Sequence, residues 1–295
     1  MDRIQNYHPH YDNDYLSRPD FLLEKLFLSF FNYQNSPCRI VMVIIDGHTH
    51  FAGPEKGLPP NSVEELLSIM DANCIDAVVT TPPYSSIGAD RTYDDANAFI
   101  ANAMEKVPDR IFGFVRVNPH LQENALNSIE HCIKSKGFKG IKLHPRNEAF
   151  PINSEKLVFP IAELAGKLKV PLLFHTGDPD TYGFAQPTLV GDLADYFPEV
   201  TIIVGHMGKR LYEDAILVAR WFDNVILEIS FQSPREIMRA VERVGADRIV
   251  YGSDMPFGIP EIAMMSVKLC KISEKEKELI LGLNMARILG IGGDV

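Results

Sequence analysis

From Val41 onward, short apolar runs rich in β-branched residues alternate with longer segments whose apolar positions recur every three to four residues. The runs predict strands at 41–50 (VMVIIDGHTH), 75–81 (IDAVVTT), 111–117 (IFGFVRV) and 138–144 (FKGIKLH). They continue at 170–176 (VPLLFHT), 200–206 (VTIIVGH), 224–230 (NVILEIS) and 247–254 (DRIVYGSD). Between them, 62–73, 94–107, 123–137 and 154–169 carry helical spacing. Asn61–Ser62, Asp94 and Ser154 suit helix N-caps, and Gly137 suits a helix end. Eight strands alternating with helices over residues 41–295 match the length of a single (β/α)8 TIM barrel of the α/β class, about 250 residues. An open doubly wound sheet is the competing architecture, but no G-x-G-x-x-G follows the first strand. The barrel is the better reading.

Residues 1–40 depart from this pattern and form an N-terminal extension. Its first twenty residues are polar without a period; Leu22, Leu23, Leu26, Phe27, Phe30 and Phe31 then recur at helical spacing. A short amphipathic helix is expected there, docked on the barrel or on a neighbouring subunit, or capping the active site. A homodimer is one consequence. Met42 stands directly before the first strand, which leaves a different start of the chain open.

Composition narrows the partners. The chain has 295 residues, 46% hydrophobic and 23% charged, as expected of a protein with a well-buried core. Its formal net charge of −10 and the absence of a Lys/Arg cluster argue against nucleic acid or an anionic membrane. A small-molecule substrate remains. The apolar stretch Phe21 to Phe31 is interrupted by Glu24 and Lys25, too short to span a bilayer and unlike a signal peptide. Cys38, Cys74, Cys132 and Cys270 form no C-x-x-C pair, so reduced thiols and a cytoplasmic location are expected.

In a barrel enzyme the catalytic groups come from the C-terminal ends of the strands. Here His48 and His50 end strand 1, Lys142 and His144 strand 4, His175 strand 5, His206 strand 6 and Asp254 strand 8. Five of the nine histidines fall at these positions, which scattered structural histidines would not explain. Alternate residues of a strand share a face, so the imidazoles of His48-Thr49-His50 converge, at the ~2.0–2.1 Å bond length a divalent ion needs. His175 supplies a third nitrogen ligand and Asp254 a carboxylate. Three His and one Asp leave an open position, the mark of a catalytic metal site. A metal there lowers the pKa of water from about 15.7 to around 7, and His206 would orient or deprotonate that water. Arg116 and Asn118 end strand 3 and Arg146 follows strand 4; either arginine can clamp a carboxylate. Glu228 and Ser230 face the rim from strand 7, and Asp46 can hydrogen-bond within the barrel, but none of the three is assigned a role.

The segments DGHTHF, GIKLHP, LLFHTG, VGHMG and YGSDMPFG, in this order, resemble the amidohydrolase superfamily over about residues 43–290. The similarity is to its amidohydrolase-related branch, which includes aminocarboxymuconate semialdehyde decarboxylase; NMARILGI, with Asn284 and Ala286, resembles that branch's last helix. The resemblance implies that His48, His50, His175 and Asp254 bind the metal, that His206 is the acid/base, and that Asp254 also accepts a proton. It implies one divalent metal, zinc first, with Mn, Fe, Co or Ni as other occupants. A second metal would need a carboxylated Lys142 as bridge; binding of a substrate carboxylate or carbonyl by Lys142, with His144 and Arg116 beside it, is the expected role instead.

Two reactions fit these residues. The leading expectation is hydrolysis of an amide, ester or lactone of a small molecule by metal-activated water. The alternative is non-oxidative decarboxylation of a small unsaturated or aromatic acid at the same site. A non-catalytic barrel would have lost ligand residues first. The strand-end positions are all filled, so this third reading is set aside.

Overall fold

The computed structural model describes residues 42–51, 60–83, 92–177 and 183–291. The N-terminal extension, its expected helix and Cys38 lie outside the described residues. Residues from Val43 onward form one unit.

Eight strands line up in sequence order in one parallel sheet. They are β1 (Ile45–His50), β2 (Ala77–Thr81), β3 (Ile111–Arg116), β4 (Gly140–Leu143), β5 (Leu172–His175), β6 (Ile202–Gly205), β7 (Val225–Glu228) and β8 (Ile249–Val250). The helices between them are α1 (Val63–Ala72), α2 (Asp94–Lys106), α3 (Glu123–Lys136), α4 (Phe159–Leu168), α5 (Thr188–Tyr196), α6 (Tyr212–Trp221) and α7 (Pro234–Val244). After β8 come α8 (Pro260–Lys268), α9 (Glu274–Glu278), a π-helical turn over Leu279–Leu283 and α10 (Asn284–Leu289). Strand-helix alternation with parallel pairing throughout is the (β/α)8 barrel. The segment after β8 meets β1 through Gly47 N–H to Tyr251 O at 2.9 Å, Asp254 N–H to His48 O at 2.8 Å and His50 N–H to Met255 O at 2.7 Å.

Boundaries follow local chemistry. Ser62 caps α1, its hydroxyl accepting from Glu65 N–H at 3.1 Å, and Gly137 ends α3 in the left-handed conformation at φ 77°. Two expected caps shift. Asp94 is the first residue of α2 itself, with Tyr93 in the cap position. Ser154 caps a turn, accepting from Leu157 N–H at 3.3 Å, and α4 starts only at Phe159, where Pro160 fixes the first turn. β8 is shorter than its apolar run. Tyr251 N–H turns to Ile280 O at 2.8 Å and Asp254 takes φ 58°, so residues 251–254 leave the regular ladder.

The strand faces explain the core. Ile45, Val79, Phe114, Leu173, Ile203, Ile226 and Val250 belong to one buried hydrophobic cluster, joined by Met285 and Leu289 of α10. Gly140 makes room in it: a Cβ there would lie 2.6 Å from the Phe114 ring. Among the described residues no helix is long and apolar enough to cross a membrane.

Candidate active site

Two residues beyond each core position, the same strand face reaches the C-terminal rim. Phe114 is followed by Arg116, Gly140 by Lys142 and His144, Leu173 by His175, Ile226 by Glu228 and Ser230, and Val250 by Gly252 and Asp254. All of these polar residues are buried. In β1 one extra residue enters the pairing with β2 between Asp46 and Thr49, and beyond this bulge His48 and His50 stay on one face, ring centroids 5.2 Å apart.

His206 arrives differently. β6 ends at Gly205, and alternation would send the next side chain to the opposite face. A left-handed φ of 60° at His206 ends the strand, and its ring lies 5.0 Å from His48 and 4.7 Å from His175. Met207, Gly208 and Lys209 also have positive φ. This costly turn is held by Gln232, which donates to His206 O at 2.6 Å, and by Thr176, whose hydroxyl accepts from Gly208 N–H at 3.1 Å.

The donor atoms converge on Asp254. Its Oδ1 is 2.9 Å from His50 Nε2 and 3.4 Å from His48 Nε2. His48, His206 and Asp254 each bring one possible ligand atom within 4.8 Å of the others. Two metal–ligand bonds of about 2.0–2.2 Å at tetrahedral or octahedral angles hold their donors roughly 2.8–3.6 Å apart, and the His48–Asp254 pair, at 3.4 Å, stands in that range. The grouping differs from the expected four ligands. His50 joins through Asp254, whereas His175 stands behind His206, its Nδ1 2.9 Å from His206 Nε2, and stacks on His144 at 3.8 Å.

Lys142 Nζ lies 2.9 Å from His48 Nε2. Arg116 donates to Glu148 at 2.7 Å and to Pro82 O at 3.1 Å, with its guanidinium 4.7 Å from the Tyr93 ring centroid. Both residues line a cleft of about 430 Å³ together with His50, His144, His175 and Asp254. Arg146, Lys209, Phe231 and Phe257 line it as well. Asn118 instead caps the turn after β3, accepting from His120 N–H at 3.1 Å.

Electrostatics sort the charges. Burial drives His48, His144 and His206 well below the usual imidazole range, with Lys142 adding to the effect on His48 and His175 to that on the other two. Burial also pulls Lys142 down to about 7, against the attraction of Asp254. Burial resists ionisation of Asp254, yet His48, His50 and Lys142 outweigh it and hold the carboxyl well below its ordinary value. Neutral imidazoles beside an ionised carboxylate are the protonation states a cation requires.

Glu228 was not assigned a role from the sequence. It is fully buried, accepts from His206 N–H at 2.9 Å and faces His48 Nδ1 at 2.7 Å; burial pushes its carboxyl up. Its signal was a lone acid at the end of the apolar run VIL, on the rim-facing parity with Ser230. Glu148 and Phe231 carried no such signal, because they lie in loops without a period, and Phe257, within YGSDMPFG, was given no role of its own.

A parallel eight-stranded barrel with imidazoles and a carboxylate gathered at its C-terminal rim defines a barrel enzyme built to hold a divalent metal. The amidohydrolase family model matches residues 45–291, and the chain belongs to that family. Gamma-resorcylate decarboxylase from Polaromonas sp. (strain JS666 / ATCC BAA-500) is 25% identical over 270 residues, 75% of this chain and 81% of that protein. The crystal structure of dihydroxybenzoic acid decarboxylase from Polaromonas sp. JS666, with bound manganese and the inhibitor 2-nitroresorcinol, has a TM-score of 0.69 at 20% identity. It covers 84% of this chain and 97% of that one. 5-carboxyvanillate decarboxylase from Novosphingobium aromaticivorans, complexed with manganese and 4-hydroxy-3-methoxy-5-nitrobenzoic acid, has a TM-score of 0.67 at 18% identity, covering 85% and 97%.

Proposed function

We propose that this chain is a metal-dependent decarboxylase that removes CO2 from a small aromatic acid without oxidation. The observation that carries this reading is the match, over three quarters of the chain, to a gamma-resorcylate decarboxylase. It favours the alternative expectation over hydrolysis, and the cleft supports it: the basic Arg116 and Lys142 and the aromatic Phe231 and Phe257 line it together. The assigned ligands are His48, His50, His175 and Asp254. A bound divalent ion would supply Lewis-acid polarisation of the acid and its ring substituents. Manganese is preferred to zinc because two related structures hold it, and a mixed nitrogen and oxygen donor set accepts either.

The side chains then have separate tasks. Lys142 and Arg116 bind the anionic groups of the substrate, with His144 beside them, while Phe231 and Phe257 border the ring. The bond between ring and carboxyl carbon breaks, CO2 leaves, and the electron pair stays on the ring carbon. One proton from solvent replaces the carboxyl group there, passed on by Asp254 Oδ1 or by His206 Nε2 once that atom has picked it up, and no water is consumed. Because Asp254 holds a proton weakly, it gives one up readily once it has received it.

The test is product analysis. Manganese-loaded protein incubated with 2,6-dihydroxybenzoate or 5-carboxyvanillate is expected to release CO2 and the matching phenol in equal amounts. Cleavage of amide, ester or lactone substrates by the same preparation, with no CO2 from any aromatic acid, would return the assignment to hydrolysis.

A further inference from the structure

The bonds around Glu228 determine where protons sit on three histidines. Glu228 Oε1 accepts from Ser230 N–H at 2.5 Å and Oε2 accepts from His206 N–H at 2.9 Å. Main-chain N–H groups can only donate, and together with the Ser230 hydroxyl they surround the carboxyl with three donors, which favours its ionised form; an ionised carboxylate has no proton to give. His48 Nδ1, 2.7 Å from Oε2, must therefore carry the proton of that bond. This leaves His48 Nε2 unprotonated, facing Asp254 Oδ1 and Lys142 Nζ.

The same logic passes through Ser230. Its hydroxyl has one proton, given to Glu228 Oε2 at 3.0 Å. His206 Nδ1, 2.6 Å from that hydroxyl oxygen, must then donate to it. His206 Nε2 is left with a lone pair and accepts from His175 Nδ1 at 2.9 Å. His175 therefore also carries its proton on Nδ1. Four bonds traced from one carboxylate fix three rings.

We infer that Glu228 is a positioning residue that sets the Nδ1–H tautomer of His48 directly, and of His206 and His175 through Ser230, so that all three present an unprotonated Nε2. The inference rests on the proposed metal-dependent function for its purpose, although the tautomers themselves do not. A partner on the far nitrogen of a ligand imidazole fixes its orientation and raises its basicity, and its loss costs about 10–100-fold in metal affinity. The fold makes space for this carboxylate: a Cβ on Gly252 would lie 2.4 Å from Glu228 Oε1. His50 provides an internal control. Its ring contacts Asp254 and not Glu228, and its Nδ1 has no hydrogen-bond partner among the described residues.

The test uses the full chain labelled with 15N-histidine, free of metal, with imidazole nitrogen shifts read by NMR. Wild type should show His48, His175 and His206 in the Nδ1–H form. Glu228→Gln should shift His48 and His206 away from it, leave His50 unmoved, and weaken Mn2+ binding, titrated with the metal alone, by about 10–100-fold. Ser230→Ala, a milder change should Glu228→Gln fail to fold, should alter His206 and His175 while His48 keeps its tautomer. Unchanged tautomers in both variants, or wild-type rings in the Nε2–H form, would overturn the inference. Wild-type chain that binds no Mn2+ would instead sink the proposed function, and the tautomer pattern would still decide the role of Glu228.

Discussion

Asp254 stands between His50 and His48, and its charge is held there by those two rings and by Lys142. Asp254→Asn keeps the shape and removes the charge, so turnover should fall by a factor on the order of 10³–10⁴ while far-UV circular dichroism stays near wild type. His175→Ala should likewise abolish turnover with the fold intact. Activity surviving both changes would mean that the site is elsewhere. Arg116 and Glu148 make a different case, because they are a buried ion pair. Removing one partner leaves a buried charge uncompensated at a cost of about 3–5 kcal/mol. Urea unfolding of Arg116→Ala, Glu148→Ala and the double variant should show the double losing clearly less than the sum of the singles. Additive losses would argue that the pair contributes no coupling.

At the scale of elements, the turns after β5 and β6 hold each other. Gly177 has φ 87°, and a Cβ there would lie 2.0 Å from Gly208 O, two residues beyond His206. Gly177→Ala therefore combines left-handed strain with a main-chain clash, and a loss of roughly 2–4 kcal/mol is expected together with impaired activity. On the outer ring, Ser233 and Glu236 form a capping box at the start of α7. Ser233→Ala should cost only about 1 kcal/mol and leave turnover unchanged. Thermal unfolding and steady-state assays on the two variants check this contrast. Equal effects on activity would show that the glycine has no special link to the site.

For the molecule as a whole, a metal that binds only the folded chain stabilises it by mass action, about 2.7 kcal/mol at a hundred times its Kd. Chelation should lower the melting temperature by several degrees, and Mn2+ should restore it, with a smaller response in Asp254→Asn. A melting temperature indifferent to both treatments would contradict a metal site that spans β1, β5 and β8. Because these strands lie far apart in sequence, the ion would tie together the two sides of the barrel where β8 and β1 meet.

Much of this was legible in the sequence. All eight strands fell within their predicted runs, because each is a short apolar segment bounded by polar or Gly/Pro residues. The i and i+2 rule, a property of any extended backbone, brought Arg116, Lys142, His144, His175 and the His48–His50 pair to one rim without any tertiary information. The sequence also held the motifs of the amidohydrolase family in strand order. What only the tertiary structure decided are the relations that depend on left-handed residues and on strands remote in sequence. His206 is turned toward His48 by a positive φ that no periodicity encodes, and this is why it, and not His175, falls into one group with His48 and Asp254. Glu228 looked like any strand-end acid until its distances to His48, His206 and Ser230 were known, since a carboxylate's role is set by which donors surround it. Loop residues such as Glu148 and Phe231 were silent for the same reason: alternation determines a face, while contact across the barrel is determined only when the chain closes.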